Sequence, residues 1–204
     1  MISTEFFITS LVVVLMPGAG VLYTVTTGLA LRTRAGIAAA IGCTLGILPH
    51  MFACILGLSA ILHLSAQVFL LIRLAGSLYL LYLVWSMWRD SGSIAFKTRP
   101  QEKNDVKIII KGILINLLNP KLTVFFFAFL PLFITTAGES QIVQMIRLSV
   151  VFIVMTLVIF ILYGILASAV STYLTGSSKV FLWIKRSFAV IFAALALKLV
   201  VTEN

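Results

Sequence analysis

Two short runs place chemistry inside stretches otherwise fit for lipid. From Leu117 to Phe127 the chain reads LLNPKLTVFFF, an amide, a helix breaker and a cation (Asn119-Pro120-Lys121) among apolar side chains. From Met16 to Val21 it reads MPGAGV, with Pro17 followed by Gly18 and Gly20. A proline inside a helix withholds one backbone N–H and can begin a new helical segment. The N-terminus of such a segment is the positive end of its dipole and presents free N–H groups. Gly18 and Gly20 leave the backbone bare enough for close approach, and Lys121 adds a full positive charge at the same depth. Such a point suits a carboxylate. Pro17, Gly18, Gly20, Asn119, Pro120 and Lys121 are therefore the candidate substrate-binding residues.

An ionisable group inside a bilayer is costly and marks a functional site by default. Lys121 lies ~18 Å deep and its stem reaches only ~6 Å, which argues against snorkelling to an interface. The ammonium has a structural alternative, tying off carbonyls that a proline leaves unbonded, and Asn119 can serve either purpose. His50, beside Pro49, is the other polar residue at mid-depth; His50 and Lys121 are the proton-coupling candidates. A hydrogen-bonded structural role is an equal alternative for His50. Arg73 reads as an interfacial anchor, and Tyr23, Tyr79, Tyr82 and Tyr163 line a path or sit between helices. Gly42 and Gly46, at GxxxG spacing with Ala38, Ala39 and Ala40 upstream, read as a small-residue packing face.

These residues need helices to hold them. The chain has 204 residues, 61% hydrophobic and 10% charged, with a mean hydropathy of +1.17. Soluble domains are nearer half apolar and a quarter charged, so the expected class is an all-α integral membrane protein. Six stretches reach the about 20 apolar residues of a span: about 6–30, 36–63, 67–89, 108–134, 143–173 and 180–201. Eleven of the fifteen Lys and Arg fall in the loops between spans 1 and 2, 3 and 4, and 5 and 6 or at the helix ends beside them. The bias of basic residues toward cytoplasmic loops puts those loops inside and both termini outside. The net charge of +9 is thus a matter of topology, not of nucleic-acid binding. Ile2 to Met16 lacks a basic leader and carries Glu5, so it reads as a retained span.

One transmembrane domain, 1–204, is expected, divided by a cytoplasmic loop at about 90–107 into half-repeats of about 1–89 and 108–204. Three spans per half invert the second half, a 3+3 inverted-topology repeat with helices broken at Pro17 and Pro120. Each proline lies ~18 Å into its span. Broken helices at matching places point to a transporter's central site. Pro49 interrupts span 2 at similar depth.

The six acids, Glu5, Asp90, Glu102, Asp105, Glu139 and Glu203, all lie at ends or in loops. A substrate amino group would have to use carbonyls, hydroxyls or Asn119, which favours a neutral amino acid or similar zwitterion. No cluster of carboxylates or thiols suits a metal, and no cofactor is expected. Cys43 and Cys54 lie ~16 Å apart along one helix, too far for a disulfide. An intramembrane hydrolase would rest on Ser59 and His63 at i, i+4, without an oxyanion hole or a general-acid carboxylate. A passive channel or an assembly subunit would keep the broken helices without accumulation against a gradient.

Further features fall in a recognisable order over about residues 5–135: Pro17-Gly18 with Gly20, Arg34-Ala35-Gly36, Gly42, Gly46 and His50, Gly57-Leu58, Gly76-Ser77-Leu78-Tyr79-Leu80, Asn119-Pro120-Lys121, and Phe129-Leu130-Pro131. On these the chain resembles the lysine-exporter and homoserine/threonine-exporter family of bacterial amino-acid efflux permeases. The C-terminal third matches only in hydropathy. The resemblance implies six helices in an inverted repeat, often dimeric, exporting amino acids or derivatives across the cytoplasmic membrane by ion-coupled exchange. Many members carry a second proline where Ala19 stands and an aspartate where Ile47 stands, so the chain resembles a variant branch. The expected protein is a secondary exporter, not an enzyme, driven by proton uptake from outside.

Overall fold

The computed structural model describes residues 2–61, 104–135 and 139–170, with Leu71, Leu74, Leu78, Tyr82 and Trp85. The expected sixth span, nearly all of the third, most of the loop at about 90–107, Arg73, Tyr79, His63 and the side chain of Ser59 lie outside the described residues. The described residues are helical, without strands.

Helix α1 (Thr4–Leu15) opens on a Ser3 cap that accepts the Phe6 N–H, with Glu5 in the first turn, where a negative charge complements the helix dipole. It ends because Pro17 has no N–H for the Val13 carbonyl; the last bond runs from Met16 N to Val12 O, 3.1 Å. The rod resumes at Ala19, with extended Gly18 as its cap, so Pro17 lies in the break and not at the first helical position.

Helix α2 (Ala19–Leu45) is not straight. A straight helix would separate Gly20 from Cys43 by ~34 Å, yet Cys43 Sγ lies 3.7 Å from Gly20 O. The chain turns back at Arg32, whose φ of 73° and ψ of −175° fall in a region that glycine alone occupies readily, at about 1–3 kcal/mol. The turn gives two antiparallel arms, consistent with the loop expected between spans 1 and 2. After a turn at Gly46–Ile47 comes α3 (Leu48–Ile61). The interruption falls one turn before Pro49, which leaves the Leu45 carbonyl without its helical donor.

Helix α4 (Asp105–Leu117) is capped by Asn104 and is followed, after Leu118 and Asn119, by the short α5 (Pro120–Val124). A π-helical turn, Phe125–Phe129, and a 3₁₀ turn, Leu130–Phe133, continue it. The axis bends by 52° at the break. Helix α6 (Gln141–Val170) is long and carries an exposed apolar stripe through Val150, Val154, Val158 and Leu162. Two runs among the described residues, Ala19–Gly57 and Gln141–Ala169, are long and apolar enough to cross a membrane, or three counting the bent pair.

In lipid, helices associate through close packing, for which small residues are suited. The Gly42/Gly46 face does this against α4: a Cβ at Gly42 would run into the Ile109 carbonyl, and one at Gly46 would lie 2.6 Å from Ile113 O. Gly28 and Gly36, on the two arms of α2, both abut the Gly164 backbone of α6. Gly42→Leu is expected to lower stability by about 1–3 kcal/mol through overpacking, read as a fall in melting temperature of several degrees in nanodiscs.

The bundle has two distinct ends. At one, Arg34 pairs with Asp105 at 2.7 Å and Thr33 bonds Ser168 at 2.9 Å. At the other, Arg147 pairs with Glu139, Gln144 holds Thr135 and Glu139, and the rings of Phe6 and Phe133 lie 5.3 Å apart.

Candidate functional site

The two interrupted rods meet. Lys121 is 8% exposed, and its Nζ donates to the carbonyls of Val13 and Met16, each at 3.1 Å. Val13 O is the carbonyl that Pro17 leaves without a helical donor, and Met16 O is the next acceptor at the frayed end of α1. Tyr163 from α6 holds a third, Leu15 O, at 2.9 Å. A Cβ on Gly18 would stand 3.2 Å from Lys121 Nζ, so glycine there lets the ammonium reach across the break.

The structural alternative read for Lys121 is what the contacts display: the ammonium ties off carbonyls freed by a proline, and it does so between two helix breaks. The N-terminus of α2 has no side-chain cap, which leaves its first N–H groups as donors. At Pro120 the arrangement differs. Pro120 opens α5, and Asn119 caps it by accepting the Lys121 N–H at 3.1 Å. Anion-binding capacity there narrows to the Lys121 side chain.

Asn116 organises the other side. It is 2% exposed, donates from Nδ2 to Cys43 O at 2.7 Å and accepts from Asn119 Nδ2 at 3.2 Å. Its main-chain oxygen faces His50 Nε2 at 3.1 Å. A carbonyl only accepts, so Nε2 carries a proton; Nδ1 then takes the Thr123 hydroxyl at 3.4 Å. His50 therefore joins the interruption in the second arm to the break in α4–α5 and stacks beside Phe126. It does not line the central cavity.

That cavity measures about 10 Å³, room for about one water centre. Asn116, Asn119, Lys121 and Thr156 form its polar side, with Gly20 and apolar Val13, Phe152 and Phe160 around them. Toward the Glu139 end lie aromatic rings: Phe152 stacks on Phe125 at 4.1 Å, and Phe125 leads to Phe6 at 6.5 Å. Toward the Asp105 end the backbones of Gly28, Gly36 and Gly164 pack closely.

The sequence reading missed Asn116, Thr156, Phe152 and Phe160. Asn116 had a signal: it precedes Asn119 by three positions in an apolar run, which puts both amides on one helix face. Tyr23 and Tyr163 serve contacts between elements, Tyr23 donating to Ile108 O at 2.9 Å. Cys43 and Cys54 are free and buried.

Comparison with known proteins turns this geometry into a family. A family model described as LysE type translocator matches residues 11–203. The chain belongs to the LysE-type translocators. The translocator is 30% identical over 169 residues to an uncharacterized membrane protein of Vibrio cholerae, covering 83% of this chain and 82% of that one. It is also 30% identical over 174 residues to a homoserine/homoserine lactone efflux protein of Salmonella typhimurium, covering 85% and 84%. A leucine efflux protein of an Enterobacter species is 29% identical over 158 residues, covering 72% and 73%. No solved structure matches the translocator. The resemblance carried by Pro17-Gly18 and Asn119-Pro120-Lys121 is borne out, and the match continues through the C-terminal third, where hydropathy alone was legible.

Proposed function

We propose that the translocator exports small amino acids or amino-acid-like zwitterions across the bacterial cytoplasmic membrane as a proton-coupled secondary transporter. One observation carries the reading: a buried primary ammonium stands at the wall of a central cavity, between two helix breaks, with carbonyls and no carboxylate among its partners. A substrate carboxylate is a stronger acceptor than a neutral carbonyl and would take Lys121 Nζ, with help from the uncapped N–H groups at the start of α2. Val13 O and Met16 O, released by Lys121, would then accept from the substrate's amino group. A zwitterion is thereby satisfied at both ends without an acidic residue in the membrane.

In this proposal six spans form a 3+3 inverted repeat within one domain, 1–204, with half-repeats at about 1–89 and 108–204. The adjacency of the breaks at Pro17 and Pro120 supports it. The Arg34/Asp105 end faces the cytoplasm and both termini face outward, following the charge bias. His50 and Lys121 are the proton carriers. Protonation of His50 would put donors on both ring nitrogens, break the acceptance from Thr123, and so bias the α5 break.

The test uses everted vesicles with an imposed proton gradient and a radiolabelled panel that includes leucine and homoserine, solutes named for relatives. Uptake of at least one member above that of vesicles lacking the protein, abolished when the gradient is collapsed, is expected. No gradient-driven movement of any member would overturn the export reading.

A further inference from the structure

Among the described residues three buried hydroxyls have no hydrogen-bond partner: Ser10 and Thr27, both 0% exposed, and Ser149, 1% exposed. The other unpartnered buried side-chain atom among the described residues is Nε of Arg147, whose guanidinium is held by Glu139. A buried hydroxyl without a partner is a liability, and such groups in native structures call for an explanation. Threonines elsewhere in the bundle avoid it by bonding back along the helix: Thr24, Thr44 and Thr156 each donate to the carbonyl four residues earlier.

Their places are not scattered. Ser10 precedes the cavity-lining Val13 and Val14 by one helical turn, hence on the same face of α1. Ser149 precedes cavity-lining Phe152 by three positions and Thr156 by seven, again on one face of α6. Thr27 follows cavity-lining Gly20 by seven positions on the first arm of α2, the same face two turns on. Direction along the bundle is fixed by contacts. Phe6 meets Phe133 at the Glu139 end, and Tyr163 meets Leu15, so α1 and α6 run the same way. Ser10 and Ser149 each then stand about one turn, ~5 Å, from a cavity-lining residue of their own helix, toward the Glu139 end. Gly28, beside Thr27, meets Gly164 toward the Asp105 end, about 10 Å to the other side.

We infer that Ser10 and Ser149 on one side of the cavity, and Thr27 on the other, are transit sites at which a small zwitterion's charged head group is hydrogen-bonded as it passes through the bundle. The inference rests on the export reading and adds the route. Each hydroxyl is unsatisfied in this structure and gains a partner only when the adjoining helices part, so it favours the parted arrangement over this one. Removing it stabilises the present arrangement and slows passage.

The experiment compares wild type with Ser10→Ala, Ser149→Ala and Thr27→Val, purified in nanodiscs for melting and reconstituted in proteoliposomes for uptake of labelled leucine and homoserine. Each variant is expected to melt at or up to about 4 °C above wild type and to turn over roughly threefold to tenfold more slowly, with KM changed less than about threefold. Thr27→Ser, which keeps the hydroxyl, is expected to retain turnover within about twofold. Turnover unchanged in all three hydroxyl-free variants would overturn the route while leaving export intact, as would a Thr27→Ser defect equal to that of Thr27→Val. A wild type that moves neither these solutes nor any other panel member would end both readings.

Discussion

Lys121→Met is expected to cut transport by about two to four orders of magnitude while the protein still reaches the membrane. The variant keeps most of the apolar stem of the side chain and deletes the ammonium, its charge and its donors together. In the proposed bound state the ammonium makes charge-assisted bonds to the substrate carboxylate, and bonds to charged groups contribute about 1.5–3 kcal/mol each. Two of them amount to about 3–6 kcal/mol, or roughly two to four decades in affinity. A purely structural ammonium would give a different signature. Val13 O and Met16 O would lose their donors, melting temperature would fall, and the folded fraction would transport at the wild-type rate. Rate per folded molecule, from uptake normalised to monodisperse protein, separates the two.

Asn116→Leu is expected to have the largest effect on stability. The side chain is nearly isosteric, yet it strands the Cys43 carbonyl and the Asn119 amide, both buried. At about 1–3 kcal/mol for each stranded group, the loss is about 2–6 kcal/mol, a fall of roughly 10 °C in melting temperature for a chain of this size. Asn119, no longer anchored, would also cap Lys121 N less firmly, so turnover is expected to fall at least about tenfold. Melting in nanodiscs and uptake into proteoliposomes check the two parts. Wild-type stability would show that the amide bridge between α4 and the second arm does not hold the site.

How much of this was legible beforehand differs from element to element, for physical reasons. Pro17 and Pro120 announced their breaks because a missing N–H acts locally and needs no knowledge of neighbours. Lys121 announced itself by its cost in lipid. The partner it chose did not, since Val13 O lies more than 100 positions away in the chain and only the meeting of two rods brings it near. Gly42 and Gly46 were readable as a packing face because GxxxG spacing is a one-helix property, although their partner, the α4 backbone, was not. The turn at Arg32 was placed by charge and hydropathy alone. No glycine or proline marks it, and the positive φ falls on an arginine. Asn116 was passed over because its spacing from Asn119 was the one local sign of it, while Cys43 and His50, its other partners, lie on other elements. The aromatic cluster of Phe6, Phe125 and Phe152 was equally hidden, being assembled from three elements.

The most direct test of the carboxylate site is equilibrium binding of a transported panel member, and of its carboxamide, to purified wild type and Lys121→Met. The amide keeps the amino group and side chain and removes only the negative charge. Wild type is expected to bind the acid at least about 100-fold more tightly than the amide, and Lys121→Met to bind both weakly and alike. Equal affinity of wild type for acid and amide, or undiminished binding of the acid by Lys121→Met, would contradict the role assigned to the ammonium.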